Sequence, residues 1–420
     1  MCPRLRGKVS SDPQSTPEMP SALKCASKCV QRVVPPERVG LPQAQKTPSV
    51  DLTRYGQRMR PVPRLGRMTI FVALTALCLA AAPVAQAQTS IKIDAVPVRA
   101  VYSGDQVFVA TRAPDQLITV QGSDLKLRAT LPLGGVPTAP VANSRGTRIY
   151  LPLFSESAVV AVNTESNELM WKIRVGDGPR SATLDRSGRL LYVANSQDGT
   201  VSVIDTRKRS VIATMPTGIS PTAITLHPRR NRAYVANSGS GDITILDTQR
   251  QRAVRTIKVC GVPLRPVMSP KGQFMFVSCR ASGTLAIIDT RREALTRLVK
   301  VGREPAPPTF ASGKQLFVPL EADGQVAVVK IPRGIVTDRI AVGEAPTTAT
   351  LNRTGRLLFV PNTGGSSVTV INVVQGKVSS TIATQPKPVQ VILGPQPMVL
   401  SESGFLQNLL PKAPVAKTPE

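Results

Sequence analysis

The chain of 420 residues contains one histidine, one tryptophan, five tyrosines and nine phenylalanines, and its 26 acidic residues are outnumbered by 53 lysines and arginines. Each scarcity closes a door. A His-ligated zinc enzyme, a multi-haem protein or a Ser-His-Asp hydrolase would have to route all of its imidazole chemistry through His227. Aromatic residues at 4% are too few to build the base-stacking platforms of a single-strand binder. Apolar runs are short: the longest, Thr69 to Ala82, falls below the roughly 20 residues that span a bilayer. With 38 prolines and 30 glycines the chain is built for turns, and long helices are not expected.

What is present begins with a change of composition. Residues 1–67 are rich in Pro, Ser, Gln and Arg without hydrophobic periodicity, and read as a misassigned start or a disordered extension. Residues 68–87 have the plan of a secretory signal peptide: Arg64 and Arg67 precede the apolar run, and Ala85-Gln86-Ala87 offers a cleavage site. The expectation is a start at Met59 or Met68, cleavage near Ala87, and a periplasmic or secreted product with no transmembrane segment. That product carries 40 basic and 22 acidic residues, a net +18, and keeps only Cys260 and Cys279 of the six cysteines.

From there a repeat takes over. Prolines recur at 97, 137, 179, 221, 263, 305, 346 and 388, at intervals of 40 to 42 residues. After each comes a short alternating segment, a turn, a strand ending in an aromatic-Val pair, a second turn, a strand of the form VxVID and a final apolar strand. The clearest copies are Tyr192-Val193-Ala194-Asn195 with Val203-Ile204-Asp205-Thr206, and Tyr234-Val235-Ala236-Asn237 with Ile245-Leu246-Asp247-Thr248. Period-two alternation between Gly-containing turns means β-strands. Four of them per 42 residues is the arithmetic of a propeller blade.

These stretches resemble the YVTN-repeat β-propellers, in particular the periplasmic proteins of the YncE type. The likeness covers residues 90 to 394 and runs through Phe276, Phe317 and Phe359 as well as the two tyrosines. It implies an all-β propeller, and the seven Pro-to-Pro intervals are read as seven four-stranded antiparallel blades over residues 88–394. A Pro-rich tail, 395–420, is expected to be flexible, with a short helical turn near Phe405 to Leu410. Either the segment Ile91 to Ala95 or the segment Val389 to Leu393 closes the ring.

Candidate site residues follow from the repeat. Asp205, Asp247 and Asp289 end the third strand before Thr, where a carboxylate accepts turn amides, so they read as structural. Asn195, Asn237 and Asn362 end the second strand, at the end where loops converge, and are candidates for a ligand funnel. Cys260 stands where other repeats have Gly, and Cys279 where they have Asn. In an oxidising compartment the two are expected to form a disulfide at one end of a single blade. Arg99, Arg180 and Arg265 follow their prolines on innermost strands, and like charges around an axis call for an anion. His227 lies in a turn and reads as a satisfied surface side chain.

The function expected is non-enzymatic: an exported, monomeric binding or scaffold module for an unidentified protein or an anionic ligand at the channel mouth, without a cofactor. The first alternative is sequence-independent binding of nucleic acid or another polyanion through the basic surface. The second is a lactonase-like hydrolase or an electron-transfer protein, against which stand the single histidine and the lack of a CxxCH or metal-ligand cluster in the sequence.

Overall fold

Alternation along each strand explains why the chain forms sheets rather than helices. In the second strand of each repeat, Leu190–Asn195 for example, five of six residues are buried, because both faces of the strand pack against a neighbouring sheet. The fourth strand, such as Arg252–Lys258, is mostly exposed and edges the molecule. In the computed structural model, residues 90–311 and 315–409 are described. The expected leader and start site, and the end of the tail, lie outside them.

The described residues form eight four-stranded antiparallel sheets, each with its strands in order from an inner edge to an outer edge. Blades 1 to 7 occupy residues 96–132, 141–174, 179–216, 221–258, 267–300, 309–341 and 350–383. Blade 8 is composite. Its three inner strands are Pro388–Leu393, Pro397–Ser401 and Phe405–Asn408, and its outer strand is Ser90–Lys92 from the start of the described chain. The expectation of seven blades is therefore corrected to eight. Eight prolines bound seven intervals, but each proline marks an innermost strand, so the count of strands is one more than the count of intervals.

The expected flexible tail is corrected for the same reason. Residues 397–408 are strands rather than coil or helix, and Met398, Val399, Leu400 and Leu406 are fully buried. This blade escaped the repeat pattern because Met398 stands where the other seven have Phe108, Tyr150, Tyr192, Tyr234, Phe276, Phe317 or Phe359, all at most 2% exposed. Its third strand also lacks the VxVID form.

Closure is by the N-terminal segment on the outside: Ser90, Ile91 and Lys92 pair with Gln407, Leu406 and Phe405. Inside, blades 8 and 1 share an apolar cluster that includes Ile93, Val107, Ile392, Met398 and Leu406. The Gln390 amide completes the seam by donating to the Ala100 carbonyl at 2.9 Å and accepting from the Ala100 amide at 3.0 Å. It does for this pair of edge strands what a ladder hydrogen bond does inside a sheet. Seven further clusters each join one pair of consecutive blades, so every interface in the ring has its own core.

The turns define two faces. One carries the connections between strands 1 and 2 and between strands 3 and 4, and will be called the basic face. The opposite face carries the turns between strands 2 and 3 and the links from one blade to the next. On the basic face the aspartates are structural: Asp205 accepts from the Arg207 and Lys208 amides at 2.9 and 3.0 Å, and Asp247 from those of Gln249 and Arg250 at 2.9 Å. Asp289 does the same with Arg291 and Arg292. The turn amides hold the Asp205 and Asp247 carboxyls below the usual carboxylate range.

Candidate functional site at the channel mouth

The innermost strand of each blade is a free sheet edge lining the central channel, and this edge position is why it tolerates so many prolines. Counting from the repeat proline, the second residue along is Arg99, Ala139, Ser181, Ala223, Arg265, Pro307, Thr348 and Gln390 in blades 1 to 8. Two arginines thus stand in a ring of otherwise uncharged residues. Blades 1 and 5 are four steps apart in either direction around an eight-membered ring, so Arg99 and Arg265 face each other across the axis. In a seven-membered ring they would not.

The environment of the pair is unusual for arginine. Both side chains reach channel solvent, yet both are enclosed by the surrounding blades, and enclosure pulls each guanidinium below its ordinary pKa. For Arg99 the repulsion from Arg265 adds to the loss of solvent. Neither makes an ion pair with any described acidic residue. A bound anion would relieve the repulsion between the two like charges. The neighbouring amide cannot answer them, because both ends of Gln390 are engaged by the Ala100 backbone.

Arg180 does not join this pair. It lies one residue earlier, directly after Pro179, at a bulge where Pro179 pairs with Asn195 and Ser181 with Ala194. Its side chain lines an open groove of about 610 Å³ between blades 3 and 4, with Ser196, Asp198, Thr217 and Ser238. A groove of about 500 Å³ recurs on the same face between blades 5 and 6, where Arg280 is held by Glu304 at 2.9 Å and Glu321 at 2.7 Å.

The three asparagines do not line the channel. Asn195, Asn237 and Asn362 are wholly buried between blades. Asn362 donates to Ser367 Oγ at 2.9 Å and Thr369 Oγ1 at 3.0 Å and accepts from the Gly343 amide of the preceding blade link at 3.0 Å. Asn195 donates to Thr200 and Ser202, and Asn237 to Asp242 and Thr244, in the same two directions. The signal that reveals this role is within the repeat: an Asn is accompanied seven residues later by a hydroxyl, whereas Leu153, Cys279 and Leu320 are followed there by Val160, Ala286 and Ala327.

Cys260 and Cys279 form a disulfide with Cα atoms 5.8 Å apart. It does not lie within one blade: Cys260 follows the outer strand of blade 4 and Cys279 ends the second strand of blade 5. It is the covalent counterpart of the contact between Gly343 and Asn362. His227 also joins these two blades. Its Nδ1 accepts from the Arg229 and Arg230 amides at 3.0 and 2.9 Å, which places the proton on Nε2, directed at the Gly272 carbonyl at 3.0 Å. Rather than a surface side chain it is a buried, satisfied one. No group of three or more His, Cys, Asp or Glu side chains arranged to hold a metal occurs among the described residues. No helix among them is long and apolar enough to cross a membrane.

Set beside known proteins, residues 159–307, little more than a third of the chain, match the family model described as lactonase, 7-bladed beta-propeller. No curated protein matches the chain. Among solved structures it is similar to hydrazine synthase from Kuenenia stuttgartiensis, with a TM-score of 0.54 and 18% identity over 66% of this chain and 96% of that one. It is also similar to dihydro-heme d1 dehydrogenase NirN in complex with DHE, with a TM-score of 0.60 and 15% identity over 71% and 67% of the two chains. A functionally unknown protein from Desulfotomaculum acetoxidans aligns with a TM-score of 0.52 and 14% identity over 64% and 96%. At these identities the likeness is one of fold, an all-β propeller.

Proposed function

We propose that the protein is a binding module of the YVTN-repeat kind that takes a small dianion, bearing carboxylate or phosphate groups, into the mouth of its channel between Arg99 and Arg265. The observation that carries this reading is the opposed, unpaired guanidinium pair, each held below its ordinary pKa by enclosure. Guanidinium forks bind such oxyanions through paired N–H donors, and two facing forks favour a ligand charged at both ends. The residues at the same position in the three blades between them, Ala139, Ser181 and Ala223, are small and uncharged.

Calorimetric titration with a series of mono- and dicarboxylates and phosphate esters tests the reading. The expected result is preference for dianions, lost on Arg99→Gln or Arg265→Gln and kept on Arg180→Gln. Because each arginine repels the other, Arg265→Gln should also raise the unfolding midpoint of the ligand-free protein. Equal affinity of wild type and Arg265→Gln for every anion would overturn it. Turnover of a lactone by the purified protein, abolished by Arg99→Gln, would replace binding by hydrolysis as the role of the same pair.

A further inference from the structure

The cations of the basic face are concentrated over blades 3 to 5, with fewer, such as Arg333, Arg353 and Lys377, in blades 6 and 7. At the turns between strands 3 and 4, blade 3 has Arg207-Lys208-Arg209, blade 4 Arg250 and blade 5 Arg291-Arg292, all exposed. The turns between strands 1 and 2 add Arg186, Arg229 and Lys271 nearer the axis, also exposed. Of these nine only Arg250 has an ion-pair partner among the described residues. Folding does not ask for these cations. The turn needs a side-chain acceptor at its start, and blades 2 and 7 make it with Glu165-Ser166 after Asn163 and Val374-Gln375 after Asn372.

The same face carries projecting apolar side chains on either side of that sector. Val374, at the blade 7 turn, is 78% exposed, more than any other large apolar side chain described. Leu127 in blade 1 and Ile335 in blade 6 begin outer strands at this face and are 57% and 48% exposed. The grooves between blades 3 and 4 and between blades 5 and 6 both open on the opposite face.

We infer that this face docks on an anionic bilayer surface. The turns of three adjacent blades present their cations on one face, so the cations can meet a planar sheet of headgroups together, whereas a linear polymer would touch only one row. Apolar tips flanking the cations have a place in the headgroup region and none against a soluble polyanion. In this orientation the channel mouth with Arg99 and Arg265 faces away from the membrane, free to exchange its ligand with solution.

The test is co-sedimentation of the isolated chain with phosphatidylcholine vesicles that contain or lack phosphatidylglycerol. Each neutralised cation near an anionic surface is expected to lower partitioning about fivefold. Arg207→Gln with Arg291→Gln should therefore cost roughly thirtyfold, whereas Arg112→Gln with Arg174→Gln, an equal charge change on the opposite face, should cost little. Val374→Asp should weaken binding and Val374→Trp strengthen it. Equal losses in the two double variants would reduce the effect to net charge and overturn the proposal. So would binding indifferent to phosphatidylglycerol, or retention on heparin or duplex DNA at a salt concentration that releases the protein from vesicles.

Discussion

Breaking the Cys260–Cys279 bridge tests the equivalence between covalent and hydrogen-bonded blade junctions. The bond closes a loop with a sequence separation of 19. Loop-closure entropy for that length is worth about 3 kcal/mol, and its loss should lower the unfolding midpoint by roughly 6 °C. The serine pair, Cys260→Ser with Cys279→Ser, should show the full loss. Replacing the pair with what blade 7 uses, Cys260→Gly with Cys279→Asn, should regain about 1–2 kcal/mol. The new amide has Thr284 to donate to, at the position of Thr200 and Ser367, and the residue-260 amide to accept from. Its second hydroxyl partner is missing, because blade 5 has Ala286 where Ser202, Thr244 and Thr369 stand. Adding Ala286→Thr should therefore recover about 1 kcal/mol more, in a slot that threonine fills in blades 4 and 7. Thermal unfolding followed by far-ultraviolet circular dichroism, with free thiols counted in parallel, orders the four proteins. If the serine pair and the Gly-Asn pair melt together, or a reductant leaves the wild-type midpoint unchanged, the equivalence is refuted.

Three further outcomes are expected. A chain ended at Gly394 should fail to fold, since it loses two strands of blade 8 with Met398, Val399, Leu400 and Leu406, and limited proteolysis will tell this from loss of a flexible tail. Gly343→Ala should cost about 1–3 kcal/mol, because the added Cβ would lie 2.6 Å from the buried Asn362 side chain, whereas Gly376→Ala meets no atom within 4 Å and is opposed only by its φ of +66°; urea melts compare the two. Burial lowers the pKa of His227 below its ordinary 6.5, so the unfolded chain binds the proton more readily. Its contribution to stability is present above pH 6.5 and lost as pH falls through the lower folded value, before the carboxylates Asp205 and Asp247 protonate below pH 3.8. His227→Gln should flatten the upper part of that stability profile.

Much of this was open to reading from residues in order. The blade unit was legible because strand alternation and turn chemistry are local, and seven copies repeat the same aromatic position, three of them with the same Asp as well. The eighth blade was not, because Met398 replaces the aromatic residue and its outer strand comes from the other end of the chain. Asn195, Asn237 and Asn362 looked like funnel residues while only their place at a strand end was considered. Their hydroxyl partners seven residues on were in the sequence, but that they turn between the blades rather than into the channel is set by packing.

The sequence by itself determined the all-β repeat, the turn aspartates, the basic surplus and the scarcity of imidazole, since each depends on residue type and short spacing. Tertiary structure alone decided the number of blades, the seam at Gln390 and Ala100, and the junction of two blades by Cys260 and Cys279. It also decided which arginines meet. Arg99 and Arg265 are 166 positions apart. Only a ring of eight puts them on opposite sides of one axis, because angular position around a closed ring is a property of how many blades close it and not of any one repeat.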